Sequence, residues 1–319
     1  MNKPAWSDWQ PVAPRLALTP ATLAETLDGG QSFRWFHEEK PSALRSLGEA
    51  GPAARPSIVW TGIWSDHVTQ LRLHDGALEW RAPGVRQPAA AAALPRYLAL
   101  DADWTSLTDS LPWRSDPHLA RCIAGFPGLR LLRQPFGETL LGFLCSATKQ
   151  IVQIKQMCAL LAQRHGTPLI SLPAPGSALP AFFHRLPTWT ELAAIPEKEL
   201  RACLLGFRAR YIHGTATFLA ARPGWLEETE HLPYAAAKTR LLELPGVGEK
   251  VADCVLLFGA GKLEAFPVDT WVLKSLARRY GLTGWKPAQV AHFGRAHFGP
   301  LAGLAQQYLF SWERRFGDR

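Results

Sequence analysis

The spacing of apolar positions changes period once along the chain. From Phe33 to Arg81 the segments FRWF, SIVWTGIW, VTQLRL and ALEW are short and rich in branched and aromatic residues. Turn residues such as Ser65-Asp66 and His74-Asp75-Gly76 separate them, and the pattern predicts an antiparallel sheet. Between the first two segments, His37 to Pro56 is polar and broken by Pro and Gly, which predicts a long loop. A Pro- and Ala-rich stretch ends the strand-like region, and Ala91 to Leu100, after Pro88, predicts a first helix. Beyond Leu111 the apolar residues recur at intervals of three and four in HLARCIAGF, GETLLGFLCSATKQIVQIKQMCALLAQRHG, ARYIHGTATFLAARPG, PYAAAKTRLLELPG and EKVADCVLLFGAG, so the C-terminal two-thirds reads as a helical array. The expected class is α+β, divided near Gly125: an N-terminal antiparallel sheet domain with flanking helices over 1–125, then a helical domain over 126–319.

Composition narrows the partners. With 47% apolar residues the 319-residue chain can bury a sizeable core, and no stretch approaches the roughly 18 consecutive apolar residues of a membrane helix. The N-terminal MNKPAWSDWQPVAP lacks the charged-then-apolar layout of a secretory signal. These features set the expectation of a monomer with no membrane partner and a cytoplasmic address, nucleoid-associated in a bacterium or nuclear in a eukaryote. Cys122, Cys145, Cys158, Cys203 and Cys254 are scattered without a Cys-x-x-Cys pair, so reduced thiols and no metal cluster are expected. The formal charge of +8 suits a polyanionic partner without identifying one.

The chemistry concentrates between Thr239 and Tyr280. A helix ending at Leu244 meets Pro245-Gly246-Val247-Gly248, where Pro245 forbids continuation and both glycines permit positive φ; a second helix begins at once. This is a helix-hairpin-helix over 233–260, whose small residues bring backbone N–H groups of Gly246, Val247 and Gly248 close to a DNA phosphate; a plain αα turn has the same outline. Lys250 stands on the first turn of the second helix, where the dipole disfavours added positive charge, and a neutral amine there is a nucleophile. The ordinary fate of a lysine is a solvated surface. Cys254, at i+4, shares its face, and as a lone cysteine reads first as a small buried hydrophobe. Asp269 precedes the periodic run TWVLKSLARRY as a helix N-cap, a role compatible with a second one in catalysis.

Taken together, LPGVGEKVADC followed by PVD resembles the helix-hairpin-helix DNA glycosylases, and within them the 8-oxoguanine DNA glycosylase/AP lyase family. GQSFRW (30–35), GLRLLRQ (128–134), FLCSA (143–147) and LGFRARY (205–211) extend the likeness in order along nearly the whole chain. The resemblance implies a TATA-binding-protein-like N-terminal sheet packed on the helical domain, and no iron-sulfur cluster. It implies removal of 8-oxoguanine from duplex DNA by base flipping, attack of Lys250 on C1′ with Asp269 stabilising the positive sugar, and β-elimination at the resulting abasic site, with no cofactor. By the same likeness Gly30, Phe143, Cys254, Gln306 and Phe310 form the lesion-base pocket, with the Gly30 carbonyl meeting the N7 proton. Phe207 is the aromatic wedge and Arg208 meets the opposite base.

The sequence also departs from that pattern. Where familiar members carry consecutive Asn residues and a following Arg for the opposite cytosine, this chain has Thr148, Lys149, Gln150 and Gln153, which predicts relaxed opposite-base preference. Trp271 replaces a His expected near a phosphate. Three rival readings remain. A non-catalytic helix-hairpin-helix DNA-binding protein would form no covalent adduct. Alkylated-purine glycosylases generally lack the hairpin lysine, and an adenine- or pyrimidine-specific relative is disfavoured by GQSFRW and by the missing cysteine cluster.

Overall fold

The computed structural model describes residues 6–37, 58–171 and 182–317. The expected loop His37 to Pro56 lies, apart from His37, outside the described residues. Five antiparallel strands, β1 (Gln10–Pro11), β2 (Trp35–His37), β3 (Val59–Trp64), β4 (His67–His74) and β5 (Ala77–Arg81), form a sheet in the order β1-β5-β4-β3-β2. The register pairs Trp60 with Leu71, and Leu71 with Trp80. Side chains alternate across a strand, so Trp35, Trp60, Trp64, Leu71 and Trp80 share one face. That face packs on Leu23 and Leu27 of the helix Pro20–Asp28 and on Leu94 and Tyr97 of the helix Gln87–Tyr97.

The opposite face is also covered, which explains why β3 reads as an almost unbroken apolar run. Ile63 and Val68 meet Ile170 and Phe183 from a two-stranded hairpin, β6 (Pro168–Ser171) and β7 (Phe182–His184). This hairpin corrects the reading of the C-terminal two-thirds as helices alone. Two further elements were not expected from the sequence: β1, and the helix Pro20–Asp28, whose Thr19 cap accepts the Thr22 N–H at 3.0 Å and whose first residue is proline.

A larger helical core contains Trp104, Leu111, Leu119 and Cys122 together with Leu140, Leu256, Phe266 and Leu304, so helices that precede Gly125 pack within it. Buried Gln31 joins the two cores. Its amide donates to the Arg130 carbonyl at 2.9 Å and accepts from the Leu132 N–H at 2.9 Å, while Gln134 donates to the Gln31 carbonyl at 2.7 Å. GQSFRW and GLRLLRQ are therefore two sides of one interlocked joint, which sets Gly30 against the helical half.

Candidate active site

The hairpin is built as its residues dictate, with two differences from expectation. Its first helix, Tyr234–Leu241, gives way before Leu244 to tighter turns in which Glu243 and Leu244 bond to carbonyls three residues back. Gly246 has φ +81°, and a Cβ there would stand 2.6 Å from Tyr211, so this position demands glycine twice over. Gly248, at φ −100° and ψ 178°, is ordinary extended backbone; it caps the next helix and has open space where a Cβ would go. The hydroxyl of Thr215 donates to the Pro245 carbonyl at 2.9 Å and fastens the hairpin to the helix Arg208–Ala220.

The second helix, Glu249–Phe258, is buried along most of its length. Asp253 anchors it across the hairpin, accepting from Tyr234 Oη at 2.7 Å and from Lys238 Nζ at 3.1 Å. Lys250 alone among residues 250–258 is only partly buried. Its Nζ lies 3.2 Å from Ser146 Oγ and 5.1 Å from the centre of the Phe143 ring. Phe143 is held stacked on Phe258 and edge-on to Phe33, so it forms a fixed floor under the amine. Cys254 borders Lys250, and burial pushes its thiol up to about 12, which keeps it neutral.

Asp269 caps the helix Thr270–Arg279, its Oδ1 accepting the Val272 N–H at 2.8 Å. Burial raises its carboxyl above the usual carboxylate range, opposed by the Val272 and Trp271 N–H groups and by the positive charge of Lys250. Trp271 lies part-buried on that first turn. Two residues before Asp269, the Pro267 carbonyl accepts Gln306 Nε2 at 3.1 Å. This bond orients the buried Gln306 amide and leaves its Oε1 without a partner among the described residues. Phe310, one turn on, faces Gly30, whose φ is +105° and where a Cβ would lie 3.6 Å from the Phe310 ring. Gly30, Phe310, Gln306, Asp269, Lys250 and Cys254 thus come from four separate segments into one continuous neighbourhood.

Phe207 stands exposed at the start of the helix Arg208–Ala220. Arg208, which the family resemblance sets against the opposite base, is turned into the protein here. It is buried, with its guanidinium bonded to the Ala147 carbonyl, to Thr148 Oγ1 at 2.9 Å and to the Leu205 carbonyl at 3.2 Å. Thr148, Lys149, Gln150 and Gln153 are exposed, and Gln153 Oε1 accepts the Gln150 N–H at 3.2 Å as part of a helix cap. Nothing local in the sequence marks Ser146, within FLCSA, as the partner of Lys250, or Gln31, within GQSFRW, as the link between the two cores.

Known proteins share this architecture. Residues 15–140 match the family model for the 8-oxoguanine DNA glycosylase N-terminal domain, and residues 170–296 that for the HhH-GPD superfamily of base excision DNA repair proteins. The N-glycosylase/DNA lyase of Arabidopsis thaliana is 32% identical over 95% of this chain and 79% of its own length. The 8-oxoguanine glycosylase/lyase of Clostridium acetobutylicum, in complex with double-stranded DNA containing cytosine opposite 8-oxoguanine, superposes with a TM-score of 0.78 at 26% identity, covering 97% of this chain and 98% of that one. The 3-methyladenine DNA glycosylase of Archaeoglobus fulgidus shares the fold, with a TM-score of 0.71 at 18% identity. The matched domains and the extent of these likenesses place the chain in the 8-oxoguanine DNA glycosylase family of helix-hairpin-helix N-glycosylase/DNA lyases.

Proposed function

We propose that this protein removes 8-oxoguanine from duplex DNA and then cleaves the strand at the abasic site, with Lys250 as nucleophile and Asp269 as its electrostatic partner. The observation that carries the reading is the placement of the Lys250 amine on Ser146 Oγ, above the Phe143 ring and within electrostatic reach of the part-buried carboxyl of Asp269. A base must leave the stack to reach it, at a cost of roughly a few kcal/mol, and exposed Phe207 is placed to fill the gap. The partnerless Oε1 of Gln306 is an acceptor suited to the N–H groups on the Watson–Crick edge of a guanine-type base, Phe310 offers a ring to stack on, and Gly30 permits close backbone approach.

As the glycosidic bond breaks, its electron pair leaves with the base, which gains a proton, and the sugar becomes positive; Asp269 stabilises that charge. The Lys250 amine bonds to C1′ and loses a proton; the C1′–O4′ bond then breaks, its electron pair leaving with O4′, which gains a proton, and a protonated Schiff base remains. Loss of a C2′ proton then expels the 3′-phosphate, which makes a lysine nucleophile a lyase as well. Open backbone at Gly248 and the exposed turn at Gly246 suit contact with a phosphate. Every group in this scheme comes from one chain, in keeping with action as a monomer on DNA carrying 8-oxoguanine or abasic sites.

The test is borohydride trapping on a duplex containing 8-oxoguanine. A covalent adduct is expected with the native chain and not with Lys250→Gln. Tight binding without any adduct would favour the non-catalytic reading, and adduct formation by Lys250→Gln would displace Lys250 as nucleophile.

A further inference from the structure

The turn that presents Phe207 presents a second apolar side chain. Leu204 is 60% exposed and Phe207 47%. Leu204 adopts φ +63° and ψ 15°, a left-handed conformation that crowds the Cβ of any residue but glycine. Its neighbours Cys203 and Leu205 are fully buried, so the chain is anchored on both sides of a leucine that it turns outward. A leucine is ordinarily drawn inward, and a glycine would fit this backbone better. Strain combined with exposure of a large apolar side chain is the pattern of a residue kept for a contact outside its own chain.

The facing loop is tied to this turn, and of its exposed polar side chains Thr148 and Gln153 already bond within the protein, while Lys149 and Gln150 face outward. Arg208 bonds to the Ala147 carbonyl and Thr148 Oγ1, and Thr148 is itself left-handed at φ +56°. The guanidinium of Arg208 is therefore engaged inside the protein, and Gln153 Oε1 is engaged in a helix cap. Val152, beside Gln153, is 65% exposed. The exposed pair Phe207 and Leu204 thus stands beside an arginine that is turned into the protein.

We propose that Leu204 is a second wedge, entering the base stack beside Phe207 on the side of the undamaged strand and holding the duplex open by apolar contact. This rests on the reading of the chain as a base-flipping glycosylase. Apolar wedges of this kind hold kinked, partly unstacked steps open without reading base identity.

The test uses the full chain carrying Lys250→Gln, so that the lesion stays in place, and a duplex with 8-oxoguanine and a 2-aminopurine in the complementary strand next to the base opposite the lesion. Unstacking raises 2-aminopurine fluorescence. At saturating protein, Leu204→Gly, which relieves the backbone, and Leu204→Asn, a polar residue tolerated at positive φ, should each lose most of that rise. Both should bind about 10-fold more weakly while Tm stays at or above that of the parent, and Leu204→Met should restore signal and affinity. An undiminished fluorescence rise in either folded variant would overturn the second wedge. Excision by the chain with Lys250 intact is measured alongside; its absence would instead end the glycosylase reading, and this proposal with it.

Discussion

Lys250 Nζ lies 3.2 Å from Ser146 Oγ, and that hydroxyl donates its own proton to the Phe143 carbonyl 2.7 Å away. With the serine proton committed, its lone pairs are what remain for the lysine, so Ser146 accepts from the amine and fixes its position. A nucleophile displaced by about 1 Å loses on the order of 100-fold in rate. Ser146→Ala is expected to slow single-turnover base release by about 10- to 100-fold with folding intact, and to slow adduct trapping in parallel. Unchanged rates would show that Ser146 does not position the amine.

Asp269 has its carboxyl raised by burial, against the pull of the Val272 N–H and of Lys250. A carboxyl raised in the folded state holds its proton more tightly there than in the unfolded chain. The stability it contributes is therefore greatest at low pH and is lost as pH rises through the folded value. Once ionised, the group weakens the fold while serving the reaction. Asp269→Asn keeps a capping oxygen, so Tm at pH 7 should equal or exceed that of the native chain, while excision falls about 100-fold or more. A clear drop in Tm would make the cap its main contribution, and undiminished excision would remove Asp269 from the chemistry.

The legible parts of this protein are those whose cause is local. Pro245 and Gly246 write the hairpin turn into the sequence, and Asp269 before TWVLKSLARRY writes a helix start, because backbone limits and capping act over a few residues. The period-two pattern from Trp35 to Arg81 likewise yields four strands. What escapes is set by distant partners. Ser146 becomes a positioning group only through Lys250, 104 positions away, and Gln31 only through Arg130, Leu132 and Gln134. The hairpin Pro168–Ser171 with Phe182–His184 is placed by the need to cover Ile63 and Val68, which no local propensity records. Arg208 is assigned to the opposite base by the family resemblance, yet the Ala147 and Thr148 oxygens lie where its guanidinium can be satisfied in burial.

The two hairpin glycines are expected to separate stability from DNA binding. Gly246→Ala forces a Cβ to within 2.6 Å of Tyr211 at φ +81°, which should cost about 1–3 kcal/mol and lower Tm. Gly248→Ala meets open space at an ordinary φ, so Tm should be unchanged. A methyl group between that backbone and an approaching phosphate should nevertheless weaken duplex affinity at all sequences alike. Native affinity in a Gly248→Ala protein would place the phosphate contact elsewhere.

Opposite-base preference should be shallow. Arg208 and Gln153 are engaged within the protein, and Thr148, Lys149 and Gln150 replace the residues that the family resemblance assigns to cytosine. Each well-made base contact discriminates by roughly 1–3 kcal/mol, so losing them should bring cleavage of 8-oxoguanine opposite C, A, G and T to within about 10-fold of one another. Strict dependence on cytosine in single-turnover assays would refute this.

Glu138 supplies a pH dependence of stability distinct from that of Asp269. It lies in a cleft of about 870 Å³ between the β3–β4 turn and the helix Phe136–Cys145, and accepts the Ser65 N–H at 2.8 Å. Desolvation pushes its carboxyl up to about 7 from an ordinary 4.5, against the nearby cations of Arg34 and Arg185. The folded chain therefore retains a proton that the unfolded chain releases between those two values, and the stability tied to this group falls as pH rises across that window. Glu138→Gln keeps an acceptor for the Ser65 N–H without the ionisable proton. Its Tm should exceed the native value by about 3 °C or more at pH 8, and the gap should narrow as pH falls from 7 towards 4.5, below which the native carboxyl is neutral in both states. Thermal melts across that range decide it: a gap that stayed constant with pH would assign the change in stability to packing in the cleft, and a reversed gap would mean that the carboxylate is stabilised there by its two arginines.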